Sequence, residues 1–383
     1  MTAPLDVGRL RREEFPWADD GGAVYLNAAS TGPLPERTLR ATEAFNRKRA
    51  TPQLLTFDEQ FGALAASRAG IARLIGASEQ EIAASVNTSA GINLAAWGLP
   101  LGRGDLVIAP ALEYPANVYP WHTAAKARGF SLHIVPPRDG RLDDDALLDA
   151  LALPGARVLT LSWVGFATGV VADLDRLAAA CRERDIYLVV DGIQGVGALE
   201  LDVCRTPIDI LACGGQKWLL SPWGSGFTYV RRAILEHITP QPVSWMAVRG
   251  SDDFSRMLDY DFTWRDDARR FEQVTLPYQD FAGMAESLGL LHEIGAAELA
   301  RLIALRTHAL LDGAAEQGLE LVTPRERHAG IACIRPRDAG VTSARLDAAS
   351  VVHSVREGTI RLSPHCYTTD EDVARALEAL REG

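Results

Sequence analysis

The stretch ADLDRLAAACRERDIYLVVDG (172–192) contains two kinds of periodicity in succession. In its first part, leucines and alanines recur at helical spacing among charged residues, which predicts an amphipathic helix. Its second part, IYLVVDG (186–192), is an apolar run that ends in Asp191 and is typical of a strand buried on both faces. A helix followed by such a strand predicts an α/β fold with a mostly parallel sheet.

The same alternation extends on both sides of this stretch. The pattern predicts strands at 105–111, 130–137 and 156–164, and helices at 116–129 and 143–152. After about residue 280 the rhythm changes: 283–318 is continuously helical in its spacing, and short strands and a last helix, DEDVARALEALRE, follow it. We therefore predict an N-terminal arm (1–22), a large domain (23–280) with helices on both faces of its sheet, and a smaller α+β domain (281–383).

The composition favours a soluble enzyme of small molecules. The 383 residues are 47% hydrophobic, and a net charge of −11 without a basic tract argues against nucleic acid or a membrane surface as a partner. No apolar run reaches membrane-spanning length and the N-terminus lacks the apolar core of a secretory signal, so we expect a cytoplasmic protein. The five cysteines form no CxxC pair, so no metal site or disulfide framework is indicated.

Asp191 and Lys217 each follow a buried strand. Asp191 ends IYLVVDG, and Lys217 comes just after PIDILACGG (207–215), whose two glycines allow a ligand to approach the backbone. Because ligands bind at the carboxyl ends of parallel strands, both side chains are expected in one cleft. Taken alone, Asp191 could cap a turn and Lys217 could extend into solvent. Together they suit pyridoxal phosphate, whose aldehyde needs a lysine and whose ring nitrogen needs an acid.

Around these two residues the chain resembles the class-V aminotransferases, a family of fold-type I enzymes that depend on pyridoxal 5'-phosphate. Cysteine desulfurases, selenocysteine lyases and isopenicillin-N epimerase-like proteins belong to it. The resemblance runs from YLNAAS (25–30) to near the C-terminus and is most specific at VVDGIQ and GGQKW. It implies a Schiff base between Lys217 and the cofactor, Asp191 beside the pyridine nitrogen, and removal of the Cα proton of a small amino acid by the freed lysine.

The resemblance also assigns residues to the two ends of the cofactor. Thr88 and Ser89, in NTSAGIN (87–93), correspond to the turn that binds the phosphate, although an ordinary helix start would have the same letters. Gln216 stands where many relatives have a histidine that donates to the phosphate.

At the ring, the resemblance places Tyr114 in stacking contact with the pyridine. Gln194 and Thr168 are expected to bind the phenolic oxygen. Phe166 replaces an asparagine that desulfurases and selenocysteine lyases use for that oxygen.

The substrate and a partner subunit are implied by two further segments. Arg361, in IRLSPHCYTTDEDV (360–373), resembles the arginine that binds the α-carboxylate, although an internal ion pair is the alternative. Asn27 is assigned to the substrate as well. Thr275, in RFEQVTLP (270–277), resembles a threonine that reaches the phosphate of the neighbouring subunit, which implies a homodimer with composite active sites.

The reaction itself stays open within limits. Residues 338–359 contain no cysteine where desulfurases have their catalytic one, so a persulfide-forming desulfurase is disfavoured. We expect an aminotransferase-like enzyme, with a C–S or β-lyase or an amino-acid epimerase as alternatives. A PLP-fold binding protein without turnover is the alternative from another class. A nucleotide-binding enzyme is disfavoured because no GxGxxG or GxxxxGK[ST] motif follows a predicted strand.

Overall fold

The structure, a computed structural model, describes residues 5–20 and 22–381. Residues 1–4 and 21 of the predicted arm, and Glu382 of the predicted last helix, lie outside the described residues. The helices are α1 (Val7–Glu14), α2 (Trp17–Asp20), α3 (Glu36–Ala50), α4 (Phe57–Ile75), α5 (Thr88–Gly98), α6 (Tyr119–Arg128), α7 (Asp144–Ala150), α8 (Leu174–Glu183), α9 (Tyr278–Ile294), α10 (Ala296–Glu316), α11 (Ala339–Ala348) and α12 (Asp370–Leu380). The strands are β1 (Val24–Tyr25), β2 (Ile82–Ser85), β3 (Leu106–Pro110), β4 (Ser131–Val135), β5 (Ala156–Ser162), β6 (Tyr187–Asp191), β7 (Ile210–Gly214), β8 (Gly226–Val230), β9 (Glu320–Leu321), β10 (Ala332–Arg335), β11 (Val351–Val352), β12 (Ser354–Arg356) and β13 (Thr359–Leu362).

The large sheet has its strands in the order β2-β8-β7-β6-β5-β3-β4. The strands from β7 to β4 are parallel, and β8 is antiparallel to both of its neighbours, β7 and β2. Asp191, at the end of β6, is level with Ser162 of β5 and Ala212 of β7. The predicted α/β class with a mostly parallel sheet is therefore confirmed, and the carboxyl ends of these strands meet at one edge.

Side chains of the central strands alternate between two cores. On β6, Leu188 and Val190 pack into one apolar cluster and Val189 packs into the other. The first cluster includes side chains of α4, α8 and α9, and the second includes side chains of α5 and α6. Because successive strand residues point to opposite faces, a strand covered on both sides must be apolar throughout, as the sequence of β6 is.

A second sheet, in the order β12-β13-β10-β9, is antiparallel. Apolar residues of α10, α11 and α12 pack with its strands in a third cluster. The short strand β1 pairs with β11, so residues 24–25 are hydrogen-bonded to the C-terminal part of the chain. The predicted division of the chain at residue 280 stays a prediction.

The predicted continuous helix over 283–318 is interrupted in the structure. It forms α9 and α10, which are separated by Gly295 with φ of 88° and ψ of 137°. Glycine adopts this backbone conformation readily, whereas the apolar spacing on either side gives no sign of a break. In the part of the chain that the structure describes, no helix has both the length and the apolar character needed to cross a membrane.

Candidate active site

A cleft of about 280 Å³ lies where the carboxyl ends of β6 and β7 meet the β12–β13 hairpin. It brings together eight of the side chains singled out in the sequence: Thr88, Ser89, Tyr114, Asp191, Gln194, Gln216, Lys217 and Arg361. They come from segments up to 273 residues apart, between Thr88 and Arg361. The folded chain thus assembles most of the predicted site within one subunit.

Lys217 lies three residues after β7, in a turn against Gly32. A Cβ atom on Gly32 would be 2.2 Å from the carbonyl oxygen of Lys217, so only glycine permits this contact. Burial of the amine lowers the pKa of Lys217 to about 8, although the negative charge of Asp191 acts in the opposite direction. A much larger fraction of this amine is neutral near pH 8 than is usual for a lysine, and a neutral amine is a nucleophile.

Asp191 is 2% exposed at the end of β6. Its Oδ1 accepts a hydrogen bond from the backbone N–H of Ile193 at 3.0 Å, and burial raises the pKa of the carboxyl to about 6. No side chain of the described residues forms a hydrogen bond or an ion pair with this carboxylate. A buried, charged carboxylate of this kind is suited to a cationic or protonated ligand atom.

Tyr114 reaches the cleft because the chain turns sharply just before it. Leu112 has φ of 62°, a left-handed conformation that is rare for leucine. The ring of Tyr114 is 51% exposed. Lys217 Nζ is 6.0 Å from its centroid, and Phe166 contacts it edge to face at 5.3 Å. The exposed face of a ring held in this way can stack on a flat ligand.

Glu113, which the sequence reading did not include, anchors this turn. Its Oε1 accepts from Ser162 N at 2.7 Å, and its Oε2 accepts from Ser162 Oγ at 2.6 Å and from Asn117 Nδ2 at 2.9 Å. Burial raises the pKa of Glu113 to about 7, and the nearby charge of Asp191 acts in the same direction. In the sequence, only its position directly before Tyr114 marks Glu113 as a site residue. Its main hydrogen-bond partner, Ser162, lies 49 residues away.

The N-terminus of α5 also lines the cleft. Asn87 caps the helix by accepting from Ala90 N at 3.0 Å, and Thr88 Oγ1 accepts from Gly214 N at 2.9 Å. A Cβ atom on Gly214 would be 2.4 Å from Gln216 Oε1, so the Gln216 side chain lies directly over this glycine. Free N–H groups at a helix start, next to hydroxyl and amide donors, form a site for an anion such as phosphate.

Gln194 is held rigidly beside Asp191. Its Nε2 donates to the carbonyl of Ala29 at 3.0 Å, and its Oε1 accepts from Trp218 Nε1 at 2.8 Å. The side chain is 2% exposed. Each primary amide has two N–H donors, so Gln194 keeps one for a ligand.

Arg361 is 2% exposed and donates to three neutral oxygens. Its Nε donates to Ser354 Oγ at 3.1 Å, Nη1 to the carbonyl of Phe166 at 3.0 Å, and Nη2 to Ser30 Oγ at 2.7 Å. Burial, and after it the charge of Arg356, lowers its pKa to about 10. Among residues 5–20 and 22–381 no carboxylate pairs with it, so the alternative of an internal ion pair is not realised there.

Three of the predicted residues are not brought into this cleft within one subunit. Thr168 Oγ1 accepts from Val170 N at 3.3 Å, and Thr168 lines a separate small cavity instead of the cleft. Asn27 pairs through its backbone with Ser363, and its buried Oδ1 has no partner among the described residues. Thr275 lines another cavity, beside the β2–β8 edge.

His365 and Cys366 are packed away from the cleft. His365 is fully buried between Trp218 and Tyr367, with each ring centroid 5.7 Å away, and its Nε2–H donates to the carbonyl of Trp218. Burial lowers the pKa of His365 to about 4 and raises that of Cys366 to about 12. Both groups are neutral near pH 7 and belong to the packing behind the site.

Comparison with known proteins leads to the same group of enzymes as the sequence pattern. The family model described as Aminotransferase class-V matches residues 24–346. A probable cysteine desulfurase of Aeropyrum pernix is 30% identical, over 97% of this chain and 96% of its own. The isopenicillin N epimerase of Streptomyces clavuligerus is also 30% identical, over 94% of this chain and 95% of its own.

Solved structures share the fold. The apo cysteine desulfurase of Thermococcus onnurineus NA1 superposes with a TM-score of 0.88 at 23% identity, covering 100% of this chain and 98% of that one. A C-DES variant with glycine covalently linked to its PLP cofactor also superposes with a TM-score of 0.88, at 24% identity, covering 97% of this chain and 99% of that one.

Proposed function

Because the chain belongs to the class-V aminotransferase family, we propose that it acts on the α-carbon of a small amino acid, as an aminotransferase. Membership of the family confirms the predicted resemblance and the predicted cofactor, pyridoxal phosphate. One observation carries the proposal: a lysine with a pKa lowered to about 8 shares a cleft with a buried carboxylate, that of Asp191.

The donor set of the cleft fits pyridoxal phosphate at both of its ends. Asp191 would hold the ring nitrogen, since no side chain of the described residues forms a direct ion pair with its buried carboxylate. Thr88, Ser89 and the first N–H groups of α5 would hold the phosphate, with Gln216 beside them. When bound, the cofactor supplies an aldehyde that bonds to amines and a protonated ring that accepts electrons from Cα.

Lys217 would perform two tasks in turn. It would hold the cofactor covalently, and when its amine is free it would accept the proton from the Cα of the substrate. A pKa of about 8 suits both tasks, because the amine is partly neutral near pH 7 and can still accept a proton. Arg361 would bind the α-carboxylate in a bidentate contact and so fix the orientation of the substrate.

The cysteines argue against a persulfide mechanism. None of Cys181, Cys204, Cys213, Cys333 and Cys366 lines the described cleft. Burial raises the pKa of Cys333, which lies opposite Arg361 in the β10–β13 pair, to about 11. A thiol of this kind is not available as a nucleophile. The second candidate is an epimerase, as the name of the Streptomyces clavuligerus relative suggests, or a C–S or β-lyase.

The reaction can be identified by incubating the protein in D2O with L- or D-amino acids and a 2-oxo acid that accepts the amino group. The products to follow are the new keto acid, the racemised amino acid and released sulfide. We expect a keto acid to form together with exchange of the Cα hydrogen for deuterium. Racemisation without keto acid would assign an epimerase instead, and released sulfide would assign a lyase. Cofactor absorbance without any exchange would favour the binding protein that lacks turnover.

We propose further that the protein is a homodimer in which Thr275 serves the partner's site. Two observations support this: Thr275 lies outside the cleft of its own subunit, and the 254–262 segment exposes large apolar side chains. Leu258 is 84% exposed and Phe262 86%, which is unusual for a surface that stays in water. Analytical ultracentrifugation should give twice the mass of one chain, and a monomer at micromolar concentration would contradict the proposal.

A further inference from the structure

The cleft contains a second guanidinium, that of Arg356, which the sequence reading did not include. In the antiparallel β12–β13 pair, Ser354 is opposite Arg361 and Arg356 is opposite Thr359. Residues two apart on a strand point to the same face of a sheet, so Arg356 and Arg361 are diagonal neighbours on one face. Two positive charges therefore lie close together at this wall of the cleft.

Neither charge is neutralised by a carboxylate of the described residues. Arg361 donates to neutral oxygens only, and Arg356 Nη1 donates to the carbonyl of Val355 at 2.7 Å. Elsewhere the described chain does pair buried arginines with acids, as Arg11 pairs with Asp372 at 2.8 Å. Like charges on one face of a sheet repel each other, and an anion between them would remove the repulsion.

We propose that Arg356 binds a second acidic group on the side chain of the substrate, so that the enzyme prefers amino acids with two carboxylates. The inference rests on the proposed function, because it assigns the α-carboxylate to Arg361. Arg361 is buried and is held in place by its hydrogen bonds to Ser30 and Phe166. Arg356 is only partly buried, so its long side chain can reach an atom further from Cα.

The phosphate of the cofactor is a less suitable ligand for Arg356 than the side chain of the substrate. The start of α5, with Thr88 and Ser89, already provides hydroxyl and backbone donors for an anion. Arg356 comes instead from the hairpin that also carries Arg361. It therefore belongs to the wall that we assign to the substrate.

The test measures the concentration of each ligand that half-saturates the holoenzyme, from initial rates of the absorbance change for amino acids and at equilibrium for acids without an amine. L-aspartate and L-glutamate are titrated against L-asparagine and L-glutamine, their neutral counterparts of nearly the same shape, and the cofactor absorbance is followed. Succinate, which has no amine, is titrated against butyrate by calorimetry. We expect each diacid to bind at least about tenfold more tightly than its counterpart, because a charge-assisted contact to Arg356 is made only with the diacid.

Arg356→Gln removes the charge from a partly exposed side chain and keeps an amide donor, so folding should be unaffected. We expect it to weaken binding of the diacids about tenfold or more and to change binding of asparagine and glutamine less than about twofold. Arg335→Gln is the matched control, because Arg335 lies in the same sheet and pairs with Glu320 outside the cleft. It should leave both classes of ligand unchanged.

Equal affinity of the unaltered enzyme for acids and amides would overturn the inference. Equal weakening of diacid and amide binding in Arg356→Gln would also overturn it. A loss of cofactor affinity with an unchanged substrate preference would overturn it as well, because it would assign Arg356 to the phosphate. A protein that takes up no cofactor would refute the proposed function. A holoenzyme without a preference for diacids would refute only this inference.

Discussion

Replacing Lys217 with alanine is expected to remove covalent attachment of the cofactor and to lower kcat/KM by at least about 10³-fold. No other lysine can take over its role, because the other two, Lys48 and Lys126, lie exposed on α3 and α6. The measurement combines the absorption spectrum of the purified protein with initial rates on its best amino-acid substrate.

The matched control for this variant is Lys126→Ala, which removes an exposed lysine and should leave spectrum and rate unchanged. Lys217→Ala should also fold normally, since it removes an amine whose burial is unfavourable. If the Lys217 variant kept more than about a tenth of the activity, the general-base role would be contradicted.

Replacing Asp191 with asparagine is expected to lower kcat by about 10²- to 10⁴-fold while the cofactor remains covalently attached. Asparagine has nearly the same shape but no charge, so it cannot stabilise a proton on the ring nitrogen. Asp191→Glu keeps the charge and should recover part of the rate. Equal rates for the asparagine variant and the unaltered enzyme would remove Asp191 from the mechanism.

The same variant has a pH signature in the cofactor-free protein. Burial raises the pKa of Asp191 from 3.8 to about 6, so between these values the folded protein retains a proton that the unfolded chain has lost. The free energy of unfolding should therefore fall as the pH rises through this window, by about 3 kcal/mol from this group. Urea unfolding of Asp191→Asn should lack that part of the slope, while the contribution of Glu113, whose pKa is also raised, should persist in both proteins.

Much of this site could be predicted because its key residues directly follow strands that are recognisable in the sequence. Continuous apolar runs, which are typical of strands buried on both faces, predicted β5, β6 and β7. Asp191 is the last residue of β6, and Lys217 lies three residues after β7. In such a sheet the ends of neighbouring strands must meet, so the sequence alone indicated that these two side chains share a cleft.

The remaining parts of the site depend on contacts between distant segments. Glu113 can hold the turn before Tyr114 only because Ser162, at the end of the neighbouring strand β5, donates two hydrogen bonds to it. Arg361 donates to Ser30, which lies 331 residues earlier in the chain. Local spacing contains no information about either pair. Arg356 could not be predicted as a site residue for the same reason. From sequence alone, an arginine on a short strand is expected to be exposed to solvent.

The central claim is tested most directly by reducing the purified protein with borohydride and locating the modified lysine by peptide mass spectrometry. The chain has three lysines, so the answer is unambiguous. We predict a reduced pyridoxyl phosphate group on Lys217 and none on Lys48 or Lys126. A modification on either of those two, or no modification of a protein saturated with pyridoxal phosphate, would contradict the account.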